Sequence, residues 1–141
     1  MTKLRLISIA LFMLAGISQV QAQTYKFLTT GFSVLEKDAK GNWGKWSDLE
    51  EASIIITLDT NKNRVVVYSQ EIQLYQIMDY LPEEENENDI IYPFTCMTEE
   101  GDRVAVTIIT RKKQNNRKQL YITHNDVIVV YNIVNFPEKN R

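Results

Sequence analysis

The stretch from Ser53 to Ser69 constrains this chain more than any other: Ser-Ile-Ile-Ile-Thr-Leu-Asp, then Thr-Asn-Lys-Asn, then Arg-Val-Val-Val-Tyr-Ser. Two β-branched runs, each about six residues long, flank a polar tract rich in Asn and Asp, which is the pattern of a β-hairpin. Most of the chain downstream repeats it.

Taken in order, the expected strands are Thr24 to Glu36, the two arms of the hairpin, Ile72 to Tyr80, Ile90 to Thr98, Arg103 to Arg111, Gln119 to His124 and Val127 to Val134. Gly31, inside the first strand, marks a bulge or sharp bend. Pro93 cannot donate to a ladder, so its strand reads as an edge or a bulged one. Ser47-Asp-Leu-Glu50 has capping-box spacing, with no amphipathic pattern behind it, and predicts at most one helical turn. Asn125-Asp126 reads as a two-residue hairpin turn of type I′, because Asn and Asp tolerate the positive φ that it demands.

With about eight strands, short connections and no helix long enough for a parallel crossover, an antiparallel meander follows. The expected fold class is all-β: a single antiparallel domain over residues 23–141, either a lipocalin-like up-and-down barrel or a strongly curved β-sandwich. Ile54-Ile55-Ile56 and Val65-Val66-Val67 are apolar on both strand faces. Either a second layer covers the outside in places, or apolar surface is left for a ligand, a partner or a second copy in a homodimer.

Residues 1–22 read as a secretory signal. Lys3 and Arg5 precede an apolar run from Leu6 to Ile17, and Val20-Gln21-Ala22 has small-residue cleavage grammar. The run is shorter than the ~20 residues that span a bilayer, so no transmembrane segment is expected in the mature chain. Periplasmic or extracellular export follows. Residues 1–22 carry two basic residues and no acidic ones, so the 16 Lys and Arg against 18 Asp and Glu of the whole chain become 14 against 18. A mildly acidic domain is a poor general nucleic-acid binder, since counterion release needs a basic face.

Gly41-Asn-Trp43 resembles the Gly-x-Trp motif near the start of calycin barrels, the group of lipocalins and avidins. The resemblance implies a closed up-and-down barrel. Trp43-x-x-Trp46-Ser, Ile56-x-Leu-Asp, Val66-Val-Tyr-Ser and Gln73-x-Tyr-x-Ile, together with the signal, are similar to small exported all-β proteins of Bacteroidetes-type bacteria. That similarity implies export and an all-β domain.

Few residues here suit catalysis. Cys96, the single cysteine, lies among apolar neighbours in Tyr92-Pro-Phe-Thr-Cys-Met97 and reads as a buried small hydrophobe. His124 is the single histidine, so a hydrolytic triad has one candidate base and nothing in the sequence to place beside it. One Cys and one His do not make a zinc site. The acidic tract Glu83 to Asp89 lacks the glycine and spacing of a calcium loop. No enzyme activity, cofactor or metal is therefore expected.

The aromatics are the candidate binding residues. Tyr68, Tyr75, Tyr121 and Tyr131 lie in expected strands and Trp43 and Trp46 in a loop, where ring faces line apolar pockets or stack on ligands. The reading is a non-enzymatic binding module that holds a small apolar or amphipathic ligand in a barrel mouth, with Trp43, Trp46, Tyr75 and Tyr121 as ligand-binding residues. The alternative is a cell-envelope interaction or structural protein that docks through an edge strand or through the charged tips, notably Arg111 to Lys118.

Overall fold

A computed structural model describes residues 23–137, so the signal reading over 1–22 lies outside the described residues. Ten strands are present: β1 Thr24–Glu36, β2 Glu50–Glu51, β3 Ile55–Asp59, β4 Arg64–Tyr68, β5 Ile72–Tyr80, β6 Glu84–Glu85, β7 Asp89–Thr98, β8 Arg103–Arg111, β9 Arg117–Thr123 and β10 Val127–Asn135. No described residue is helical, and none of the chain that is described is a helix able to cross a membrane.

The strand order is β10-β9-β8-β7-β5-β4-β3-β1, and β1 then pairs with β10 to close the ring. Eight antiparallel strands thus form an up-and-down barrel rather than a sandwich, with the short β2 and β6 added beside β1 and β7. The closing seam is long. It runs from Phe27↔Asn135 to Glu36↔Val127 and leaves neither terminal strand with a free edge.

The Ser53–Ser69 hairpin supplies β3 and β4. Leu58↔Val65 and Ile56↔Val67 share the inward face, and Thr57↔Val66 the outward one. The turn is made by Asn63 in the left-handed region (φ 52°), a conformation Asn tolerates better than most residues. Asn115 and Asn116 do the same between β8 and β9, both at φ 56°. Ile56, Val65, Val67, Cys96, Val106 and Leu120 are wholly inaccessible, so the middle of the barrel is packed side chain and not a channel. Each such aliphatic residue contributes roughly 1.5–3 kcal/mol by leaving water. Along β8 and β9, Val104, Val106, Ile108, Leu120 and Ile122 point inward, while Arg103, Ala105, Thr107, Ile109, Arg111, Gln119 and Tyr121 face outward, so the barrel interior is apolar.

Two bulges decide which residues face in. In β1 the register shifts between Thr29 and Gly31, so Thr30 is the extra residue and the inward face passes from Phe27 and Thr29 to Phe32. Gly31 itself is needed for space: a Cβ there would lie 2.9 Å from the Glu50 carbonyl oxygen and 3.2 Å from Leu49 Cδ1. The second bulge, between Ile77 and Asp79, turns Tyr80 inward opposite Phe94.

Three local expectations are corrected. Ser47 caps no helix: its N–H donates to the Val34 carbonyl (2.8 Å), its hydroxyl accepts from Val34 N–H (2.8 Å), and Glu50 pairs with Phe32. Pro93 is on no edge; its carbonyl accepts from Leu81 N–H just where β5 ends, so its missing donor faces the break between β5 and β6, where the ladder asks for none. The β9–β10 hairpin does close over Asn125 and Asp126, with His124 N–H donating to the Val127 carbonyl (2.8 Å), yet neither turn residue has positive φ, so the turn is not type I′. Asp126 instead offers its carbonyl to Lys37 N–H (2.9 Å), tying that hairpin to the end of β1.

Residues 43–52 run back along β1 and hydrogen-bond to it beyond the end of β3, with Trp43 bridging Lys37, Gly44 N–H donating to the Glu36 carbonyl (2.9 Å) and Glu50 opposite Phe32. Ser33, on the outer face, is buried against this segment, its hydroxyl donating to the Ser47 carbonyl (2.6 Å). The segment's junction with β3 is held by Thr29, 1% exposed, whose Oγ1 donates to the Ala52 carbonyl (2.6 Å) and accepts from Ile54 N–H (2.8 Å). Thr29→Val, which keeps the shape but strands a buried N–H and a carbonyl, is expected to cost about 1–3 kcal/mol in urea unfolding, and Thr29→Ser markedly less.

Candidate functional site

In an up-and-down barrel the starts of alternate strands and the ends of the others meet at one rim. Here β1, β4, β7 and β9 begin, and β3, β5, β8 and β10 finish, at the same end. At that end lies a cavity of about 440 Å³, within the range of small-molecule sites. Phe27, Leu58, Phe94 and Ile108 form its floor, Tyr25, Tyr80 and Tyr92 its rim, and Thr110, Lys118 and Asn135 its polar side.

The rim rings are held in place. Tyr80 meets Phe94 edge to face, with centroids 5.6 Å apart and planes at 87°, a favoured aromatic geometry. Its hydroxyl donates to Asn63 Oδ1 (2.7 Å), the same residue whose carbonyl accepts from Ile77 N–H (2.8 Å) and Gln76 Nε2 (2.8 Å). The Tyr25 hydroxyl donates to Gln23 Oε1. Burial, and then the neighbouring Glu83, raises the Tyr92 phenol above its ordinary pKa. Tyr80 is raised too, by burial first and then by the neighbouring Cys96 and Asp59. Tyr25, Tyr80 and Tyr92 are each about 40% exposed or more, so the mouth is open.

The opposite end is filled. There the inward Tyr75 hydroxyl donates to Gln73 Oε1 (2.6 Å), Gln73 Nε2 donates to Ser69 Oγ (3.1 Å), and His124 lies edge-on to Tyr75 at 6.3 Å. Burial, with Tyr131 next, pushes the Tyr75 phenol up to about 12; burial alone does the same to the Cys96 thiol. A thiol so displaced, 0% exposed, is packing and not a nucleophile at neutral pH.

The four aromatic residues singled out from the sequence do not converge. Trp46 and Tyr121 do meet, edge to face at 6.3 Å, but on the outer wall of the barrel. Tyr75 is inside at the filled end, and Trp43 lies under the Lys37 ammonium, 4.9 Å from it, beside the last residues of β1. Tyr25, Tyr80 and Tyr92, which do line the cavity, have no ligand role in the sequence reading, and Lys118 enters it only as the end of the charged tip Arg111 to Lys118. Their positions at strand starts and ends carried the signal, since a meander gathers such residues at one rim; the bulge that turns Tyr80 inward has no sequence mark.

The acidic and basic tracts clasp each other beside this rim. Lys112 Nζ donates to Glu85 Oε2 (2.5 Å) and to the Asn86 carbonyl (2.8 Å), and Arg111 pairs with Asp89 at 3.1 Å. Arg111 continues into an outer-wall network, with Nε to Gln119 Oε1 (3.0 Å) and a second N–H to the Tyr121 hydroxyl (3.1 Å). Burial would lower this guanidinium, but the hydrogen bonds to Asp89 and Tyr121 outweigh it and hold the group above its ordinary pKa. Arg117 is engaged by Gln114 and Asn132. Such partly exposed pairs contribute ~0–1 kcal/mol each, so the clasp fixes loop position more than stability.

No family model matches the chain, and no match is found among curated proteins or solved structures.

The buried phenol and thiol give a pH dependence with a definite sign. Both are neutral when protonated, and the fold holds both near 12, above their ordinary 10.0 and 9.0. The stability they confer is whole below pH 9 and is lost as pH rises toward 12, because the unfolded chain releases these protons first. Urea midpoints are expected to fall between pH 9 and 11, and iodoacetamide to leave Cys96 unmodified at pH 8 until the protein is unfolded.

Proposed function

We infer that the protein is an exported, non-enzymatic binding module whose ligand is a small apolar or amphipathic molecule held in the open barrel mouth. The observation that carries this reading is the cavity of about 440 Å³ with Tyr25, Tyr80 and Tyr92 standing around a floor of Phe27, Leu58 and Phe94. An apolar concavity with a few polar groups on one side is the usual form of a small-molecule site. Tyr80, already braced by Asn63 and Phe94, loses little freedom when a ligand arrives, which favours binding. Export rests on the leader-like residues 1–22.

The test is titration with N-phenyl-1-naphthylamine, a neutral fluorophore that brightens in apolar surroundings. Saturable brightening is expected with the folded protein. Replacing Tyr80 and Tyr92 together by Ala should weaken it roughly tenfold, from two aromatic contacts of ~0.5–1.5 kcal/mol each. Trp46→Ala, on the outer wall, should leave it unchanged. No brightening, or a loss with Trp46→Ala that the tyrosine pair does not share, overturns the mouth as the site.

A further inference from the structure

One wall of the mouth is chemically unlike the rest. Thr110 of β8 and Lys118 of β9 are direct cross-strand partners on the inward face, so their side chains rise side by side into the cavity. The Thr110 hydroxyl has no hydrogen-bond partner among the described residues and, since no buried side-chain oxygen there is left unpartnered, it reaches the cavity. Lys118 is half-buried, and no hydrogen bond, carboxylate or ring engages its ammonium among the described residues.

The surrounding charges do not supply what is missing. Glu85 is taken by Lys112, Asp89 by Arg111, and Glu83 faces Tyr92, one strand beyond Thr110. Arg111, Lys112 and Arg117, the neighbours of Lys118 in the basic tract, all have partners. A half-desolvated ammonium without a counter-charge is unfavourable, and the Thr110 hydroxyl beside it opens to the cavity with its hydrogen free to donate. One anion would satisfy both.

Resting on the mouth reading, we propose that the ligand is an amphipathic monocarboxylate. Its oxygens accept hydrogen bonds from Lys118 Nζ and Thr110 Oγ1, and its apolar body lies among Tyr25, Tyr80, Tyr92 and Phe94. A single ammonium matches a single negative charge; a dianionic phosphate would be left half neutralised. Charge-assisted bonds of this kind are about twice as strong as neutral ones, so the carboxylate sets preference while the rings supply bulk affinity.

Calorimetric titration with 2-naphthoate and 2-naphthamide, which share one body and differ in charge, tests this directly. The wild-type protein should bind the naphthoate about tenfold tighter, equivalent to ~1.4 kcal/mol. Lys118→Met should erase that preference without weakening the naphthamide, Lys118→Arg should keep it, and Thr110→Val should reduce it, with far-ultraviolet circular dichroism confirming that each variant is folded. Equal or weaker binding of the naphthoate by the wild type, or a preference that survives Lys118→Met, overturns the carboxylate assignment while naphthamide binding leaves the mouth reading intact. Failure of both naphthyl compounds and of N-phenyl-1-naphthylamine overturns the mouth reading, and this assignment with it.

Discussion

Everything in this structure depends on the pairing of the first long strand with the last. From Phe27↔Asn135 to Glu36↔Val127 the β1–β10 seam converts a meander of local hairpins into a ring. Without it the sheet would have two long edges and one apolar face open to water. With it the inward residues of eight strands face one another at packing density high enough to leave Ile56, Val65, Val67 and Leu120 inaccessible. The seam also places the starts and ends of alternate strands at common rims, which is the geometric origin of the mouth.

Within that ring, small irregularities assign faces. Strand side chains alternate strictly, so one extra residue exchanges inside for outside beyond it. The bulge near Thr30 brings Phe32 against Tyr131 at 6.2 Å and frees Gly31 to accept the close approach of Glu50. The bulge after Ile77 brings Tyr80 over Phe94. The first of these lets residues 43–52 pair beside the second half of β1; the second completes the aromatic rim. Gln119, though it faces away from the core, is buried within the outer-wall network of Arg111, Tyr121 and Asn132.

Strand content was legible because it rests on local chemistry. The β-branched runs, the Asn-rich tips and the Pro-initiated acidic loop placed Thr24–Glu36, Ile72–Tyr80 and Arg103–Arg111 with their observed limits. Closure into a barrel was not legible beyond the calycin resemblance, because pairing of β1 with β10 is a relation between residues about a hundred positions apart. Ser47-x-x-Glu50 misled for a similar reason: its hydroxyl and amide found strand partners at Val34 before any helix could use them. The mouth was hidden for a third reason. Tryptophans draw the eye as ligand residues, whereas the residues that line the cavity are ordinary tyrosines and a lysine whose inward direction depends on register and, for Tyr80, on an unmarked bulge.

The closing seam also dictates an order of assembly. Every other pairing in the ring joins strands that are neighbours in the chain apart from short inserts, so those hairpins can form as soon as their residues exist. The seam alone has to wait for the last strand, and it carries the greatest loop-closure entropy of the set. Until β10 is available, β1 is an unpaired edge along the half that later meets it, and the mouth has neither Asn135 nor its neighbouring wall. Until that strand arrives the chain is an open, unfinished sheet, a state that a strand-paired competitor would exploit.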